Sequence, residues 1–169
     1  MTFSAKPSRY LIGLGSNMRV GDVGAPRAVL GDALVTLEDL GLLVHSVSPV
    51  IDTAPVGPSQ RRYANAAALV ETLRDPERLL ALLKGVEHAY GRTLRGQRWR
   101  ARPLDLDILL WSGGAWRSAV LQVPHPRLSE RNFALGPASA IAPDWRDPVS
   151  GLSLRALYRR LTKSRPLPR

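Results

Sequence analysis

Residues 98–107 read Arg-Trp-Arg-Ala-Arg-Pro-Leu-Asp-Leu-Asp, a cationic stretch that runs directly into two acids one residue apart. On a β-strand, alternation puts Asp105 and Asp107 on one face about 6.6 Å apart. Leu104, Leu106, Ile108 and Leu110 take the opposite face, an apolar row suited to a core, and Leu109 and Trp111 follow the acids. Ionised carboxylates in a mostly buried strand need positive company, from arginine side chains or divalent cations. Two hard oxygen ligands at this spacing suit Mg²⁺, while a solvated strand end with arginine-paired acids accounts for the same short pattern.

The charge of the whole chain narrows the partners. A formal net charge of +10 points to polyanions, either nucleic acid or a highly phosphorylated small molecule. Five arginines (Arg92, Arg95, Arg98, Arg100, Arg102) and no acid fill positions 92–102, directly beside the paired acids. A sheet-based RNA binder would add aromatics on adjacent strands, yet the chain has only two phenylalanines and no string of that type. Cysteine is absent, which excludes disulfide and thiol chemistry. The apolar run at 10–14 is too brief for a signal-peptide core or a membrane span, so a soluble, cytoplasmic protein is expected.

The elements that must position these residues follow from periodicity and punctuation. Strands are expected at 10–15, 42–52 and 63–73, with helices at 26–40, closed by Gly41, and from Pro76 to about Tyr90, closed by Gly91. Asp75 before Pro76 is a strong helix start. The Asp-Leu-Asp strand, a turn at 112–114 and a short strand at 115–120 come next. This order defines an α+β, ferredoxin-like βαββαβ sandwich: an antiparallel sheet, helices on one face, and C-terminal additions. Those additions are a proline-rich loop from Val123, a short helix near 129–138, a helix at 152–161 and a frayed tail at 163–169. At 169 residues and 44% hydrophobic content, a single domain is expected over 1–169.

Three further groups could do chemistry. Gly13-Leu14-Gly15-Ser16-Asn17 lacks the third glycine of a dinucleotide fingerprint and the Lys of a P-loop, and by itself reads as a tight strand exit. Val123-Pro124-His125-Pro126-Arg127 followed by Glu130-Arg131-Asn132-Phe133 gathers a histidine, two arginines and an aromatic in a constrained segment. Tyr63 and Asn65 share a strand face and offer a flat heterocycle an aromatic plane beside an amide. His45 and His88 have no partners at ligand spacing and read as structural.

Taken in order, Gly-Leu-Gly-Ser-Asn at 13–17, Thr-Ala-Pro-Val-Gly-Pro at 53–58, Tyr-Ala-Asn at 63–65, the 98–107 stretch and His-Pro-Arg-Leu-Ser-Glu-Arg at 125–131 are similar to 6-hydroxymethyl-7,8-dihydropterin pyrophosphokinase, over about 10–145. The resemblance implies an enzyme of folate synthesis that moves the diphosphate of ATP to the pterin hydroxymethyl group and releases AMP. It implies two Mg²⁺ ions on Asp105 and Asp107, with Arg92 and Arg102 as catalytic arginines. ATP would be held by Arg95, Arg98, Ile108, His125 and Arg131. The pterin would be held by Thr53, Ala54, Val56, Tyr63, Asn65, Trp99 and Phe133. Trp99 and the arginines lie on a loop expected to fold over the bound substrates.

Two departures bear on that loop and on ATP. Arg100-Ala101 stands where many relatives have Gly-Pro, and Pro126 replaces an aromatic found in some. Two rivals are a basic ferredoxin-like nucleic-acid-binding module and a kinase that moves the γ-phosphate alone. A monomer acting on ATP and the pterin is expected, with no nucleic acid, no membrane and no room for a fused second enzyme.

Overall fold

A computed structural model describes residues 6–55, 61–91 and 102–163. Strand β1 (Ser8–Ser16) is followed by helix α1 (Pro26–Asp39), then β2 (Leu43–Val47), β3 (Ile51–Thr53) and β4 (Tyr63–Thr72). Helix α2 (Pro76–Ala89) and strand β5 (Asp105–Trp111) complete the βαββαβ core. The sheet is antiparallel in the order β2-β4-β1-β5, with β3 also paired to β4. The expected ferredoxin-like arrangement is therefore present. The single strand expected at 42–52 is two, because Ser48–Val50 break the pairing and Ser48 turns its Oγ to accept the Ala67 N–H at 2.9 Å.

Both core helices start as their sequences require. Pro76 occupies the first turn of α2, and the Asp75 carboxylate accepts the Arg78 N–H at 2.8 Å. Gly41 and Gly91 follow the two helices at φ +88° and +92°, a conformation that costs other residues a Cβ clash. Val29, Leu30, Ala33 and Leu37 of α1 and Leu79, Leu83 and Val86 of α2 are buried against Tyr10, Ile12, Leu14, Leu106 and Ile108 of the sheet. Alanines 64, 66 and 68 on the same face of β4 supply little bulk.

The C-terminal additions cover part of the sheet's second face. Helix α3 (Asn132–Ile141) and helix α4 (Leu154–Thr162) pack Leu135, Ala138, Leu154 and Leu157 against Leu11, Ala67, Leu109 and Leu110. Each fully buried leucine contributes about 1.5–3 kcal/mol of transfer free energy. The helix expected near 129–138 is a 3-10 turn at Leu128–Glu130 followed by α3, which runs through Pro137 to Ile141. Pro137, the sixth of the ten residues of α3, costs the helix one backbone bond, and packing of α3 on the sheet holds the helix through it.

Two expectations about the end of β5 need correction. A register shift opposite Leu11 and Ile12 makes Leu109 an extra residue, so Leu110 joins Leu109 in the core under α3 and α4 instead of lining up with Ile108. Trp111 turns to the α1–α2 side and stacks on Tyr10, with ring centroids 6.5 Å apart. The strand expected at 115–120 is a small separate hairpin of β6 (Trp116–Arg117) and β7 (Gln122–Val123). Most of the expected frayed tail, 164–169, lies outside the described residues. No helix among the described residues is long and apolar enough to cross a membrane.

Candidate active site

The second face of the sheet is divided along its strands. At one end Leu11, Ala67 and Leu109 are buried under α3 and α4; at the other the same face carries Gly13 and Gly15 on β1, Tyr63 and Asn65 on β4, and Asp105 and Asp107 on β5. That second end forms the floor of a cleft of about 640 Å³. Its opposite wall comes from the segment after β7, with His125, Arg127, Glu130 and Arg131, and from the first turn of α3, with Asn132 and Phe133.

Strand pairing fixes the floor as two rows. Asp105, Gly15 and Asn65 are direct neighbours across β5, β1 and β4, and Asp107, Gly13 and Ala67 form the next row. The central strand therefore contributes no side chain between the acids and the amide. A Cβ placed on Gly15 would lie 3.1 Å from Asn65 Oδ1 and 3.9 Å from Asp105 Cβ. The glycines are paired residues of β1 and clear space, a different role from the strand exit that their local sequence indicates.

Each acid faces an arginine from a different part of the chain. Arg102 Nη1 donates to Asp105 Oδ2 at 2.7 Å, and Arg131 Nη1 lies 3.9 Å from Asp107 Oδ2, an ion pair beyond hydrogen-bond range. The two carboxylate side chains are 20% and 36% exposed, which leaves them open to the cleft. Asp105 raises the affinity of the Arg102 guanidinium for its proton, against the opposing effect of burial. Asn17 holds the backbone at Arg102 from both sides: its Oδ1 accepts the Arg102 N–H at 2.6 Å, and its own N–H donates to the Arg102 carbonyl at 3.1 Å.

The remaining polar groups are also oriented. Asn65 Nδ2 donates to Thr53 Oγ1 at 2.7 Å, which turns Oδ1 toward the floor. The Arg127 N–H donates to His125 Nδ1 at 3.2 Å, which places the ring proton on Nε2. Burial pushes the His125 imidazole below its usual range; Asp107 opposes this, and Arg131 and Arg127 reinforce it. His125 is thus a neutral donor at pH 7. The Arg131 guanidinium lies 5.7 Å from the Phe133 ring centroid, a cation–π contact. Burial raises the Tyr63 phenol, so that ring stays uncharged.

The structure brings Thr53, Tyr63, Asn65, Arg102, Asp105, Asp107, His125, Arg131 and Phe133 to one cleft. It does not bring the Ile108 side chain there: Ile108 is 3% exposed and packs in the core under α1 and α2, so any contact with a nucleotide falls to its main chain. Ala54 is exposed beside Thr53 but does not line the cleft. Val56, Arg92, Arg95, Arg98, Trp99 and the Arg100-Ala101 step lie outside the described residues. His45 bonds Glu71 at 3.2 Å on another part of the surface, and His88 is exposed on α2. Glu130, Asn132 and Leu109, named in sequence without a role, also line the cleft; the alternate glycines in β1, matching the alternate acids in β5, were the available signal for the floor.

The donor set fits Mg²⁺. Among the described residues no group of three or more His, Cys, Asp or Glu side chains could hold a metal; Asp105 and Asp107 face a cleft that Arg102, Arg127, Arg131 and Glu130 also line. Mg²⁺ commonly takes one or two carboxylates and completes its shell with water and substrate phosphates, whereas a site built to hold a metal alone needs more protein ligands.

A ferredoxin-like sandwich whose cleft gathers paired acids, arginines and two aromatic rings is an arrangement suited to phosphate chemistry beside a flat ring. The family model for 7,8-dihydro-6-hydroxymethylpterin-pyrophosphokinase matches residues 11–143, and the chain belongs to that family. It is 33% identical over 144 residues to the 2-amino-4-hydroxy-6-hydroxymethyldihydropteridine pyrophosphokinase of Synechocystis sp., covering 85% of this chain and 71% of the relative. To the Pseudomonas aeruginosa enzyme of the same name it is 37% identical over 142 residues, covering 83% and 84%. The fold is similar to a crystal structure of Plasmodium falciparum HPPK-DHPS with pteroate, at TM-score 0.70 and 13% identity, covering 95% of this chain and 43% of that one. These relatives support the pyrophosphokinase step of folate biosynthesis and do not favour a nucleic-acid-binding module.

Proposed function

We propose that the cleft binds ATP and 6-hydroxymethyl-7,8-dihydropterin side by side and passes the terminal diphosphate of ATP to the pterin hydroxymethyl oxygen, releasing AMP. The observation that carries this reading is the Asp105–Gly15–Asn65 row, which puts an acid and a ring-reading amide on either side of a strand with no side chains. The pterin lies over the glycines between Tyr63 and Phe133, with Asn65 and Thr53 at its edge. Arg102 approaches the phosphates from beside Asp105, and His125 and Arg131 approach them from the opposite wall.

In the reaction the hydroxymethyl oxygen attacks the β-phosphorus, the bond from that phosphorus to the α,β-bridging oxygen breaks, and the hydroxyl proton is lost. Little covalent work falls to the protein, so positioning and charge stabilisation dominate. Asp105 and Asp107 would hold two Mg²⁺ ions, which supply Lewis acidity to the phosphate oxygens and to the pterin hydroxyl. Arg102 neutralises charge on the transferred group, and His125 donates from Nε2 as a neutral group. The chain acts as a monomer on these two small molecules; the crowding of arginines at 92–102 beside the acids supports ATP as the polyanion it serves.

Gly15→Ala tests the floor. The new methyl must displace Asn65 Oδ1, and modest overpacking of this kind raises the pterin KM by roughly tenfold while the ATP KM holds. Steady-state kinetics with each substrate varied reads this; an unchanged pterin KM places the ring elsewhere. Identification of the nucleotide product tests the reaction: AMP supports it, and ADP contradicts it.

A further inference from the structure

A buried carboxylate on α2 remains unexplained by the cleft. Glu87 is 1% exposed, sits on the inward face of α2 beside Val86, and does not line the cleft. Lys84, one turn earlier, donates to both carboxylate oxygens at 3.1 Å. Oε1 also accepts the backbone N–H of Leu106 at 2.7 Å. Leu106 stands between Asp105 and Asp107 on β5, an edge strand that among the described residues pairs within the sheet with β1 alone.

That contact has a geometric consequence. The neighbours of Leu106 pair with Gly15 and Gly13 on the β1 side, and the Leu106 N–H is directed to Glu87. Outside the pairing with β1, the His125 N–H donates to the Leu109 carbonyl at 3.0 Å and Glu87 holds the end that carries the acids, where a slip of one residue turns every side chain to the other face. Buried ion pairs contribute little net stability compared with apolar packing, so stability alone is a weak reason for an acid at this position.

We propose that Glu87 is a positioning residue for the paired acids: by gripping the Leu106 N–H from α2 it fixes the outer edge of β5 and sets the spacing of Asp105 and Asp107. This rests on the reading of those two acids as metal ligands. Two variants separate reach from charge. Glu87→Asp keeps the charge and withdraws the oxygens by one methylene; Glu87→Gln keeps the reach and removes the charge.

The variants are compared with the wild type by amide hydrogen exchange at Leu106 in the metal-free protein, by Mn²⁺ affinity from electron paramagnetic resonance with a non-hydrolysable ATP analogue, and by kinetics. Glu87→Asp is expected to expose the Leu106 amide to exchange, weaken Mn²⁺ binding by about tenfold and lower kcat by a similar factor, with the pterin KM unchanged. Glu87→Gln is expected to stay within about threefold of the wild type in every readout. Wild-type Mn²⁺ affinity in Glu87→Asp overturns the proposal. So does a Glu87→Gln protein impaired in Mn²⁺ binding while Leu106 stays protected, a result that decides the matter even if Glu87→Asp does not fold. Asp105→Asn in the same Mn²⁺ assay tells the two readings apart: if it binds as the wild type does, the metal assignment itself fails, and if it alone loses binding, only the role of Glu87 fails.

Discussion

Asp105→Asn and Asp107→Asn are each expected to lower kcat by on the order of a thousandfold, because metal-assisted phosphoryl chemistry draws several kcal/mol from the charge held at these positions. Asparagine keeps the shape and one oxygen but removes the negative charge that a divalent cation needs, so raising Mg²⁺ should recover only part of the loss. The fold should survive. Arg102–Asp105 and Arg131–Asp107 are part-exposed pairs opening to a cleft, and neither acid lies in the apolar layers under the helices. Such pairs are worth up to about 1 kcal/mol, or about 2–4 °C in Tm for a chain of this size. Kinetics with melting curves check both halves of the expectation; near-normal turnover in either variant removes that acid from the metal site.

Arg102→Ala is expected to cost on the order of a thousandfold in kcat, the range in which arginines that neutralise a transferring phosphoryl group act. Arg102 is specified on both of its sides. Asn17 clamps its backbone with two hydrogen bonds, and Asp105 holds its guanidinium at 2.7 Å, so the side chain is pre-placed before any substrate enters. Arg102→Lys should recover only part of the rate, because an ammonium restores the charge without the planar fork. The pterin KM should change by less than about threefold in both variants, since the ring contacts lie across the glycine floor. A loss under about tenfold in Arg102→Ala would assign the guanidinium a structural role against Asp105.

The core of the fold was legible because its signals are local. Asp75-Pro76 starts a helix, Gly41 and Gly91 end two, and the order of the elements admits few topologies. The paired acids were legible for the same reason, since alternation alone puts Asp105 and Asp107 on one face. What escaped depends on contacts distant in sequence. The extra residue at Leu109 is set by pairing with β1 and by the core under α3, so the face taken by Leu110 and Trp111 could not be read from alternation. The 3-10 turn at Leu128–Glu130 and the extension of α3 to Ile141 go with packing on the sheet and on α4. Gly13 and Gly15 look like turn residues until strand register sets them between the acids and Asn65. Glu87 reads as one more helical acid, and its grip on Leu106 spans nineteen positions.

The most direct test of the account follows label from ATP with Mg²⁺ and the pterin alcohol present. With ³²P at the β position in one reaction and at the γ position in another, both labels are expected in the pterin product, with AMP as the unlabelled nucleotide. Transfer of the γ label alone, with label-bearing ADP left behind in the β experiment, would contradict attack at the β-phosphorus and with it the role assigned to the cleft.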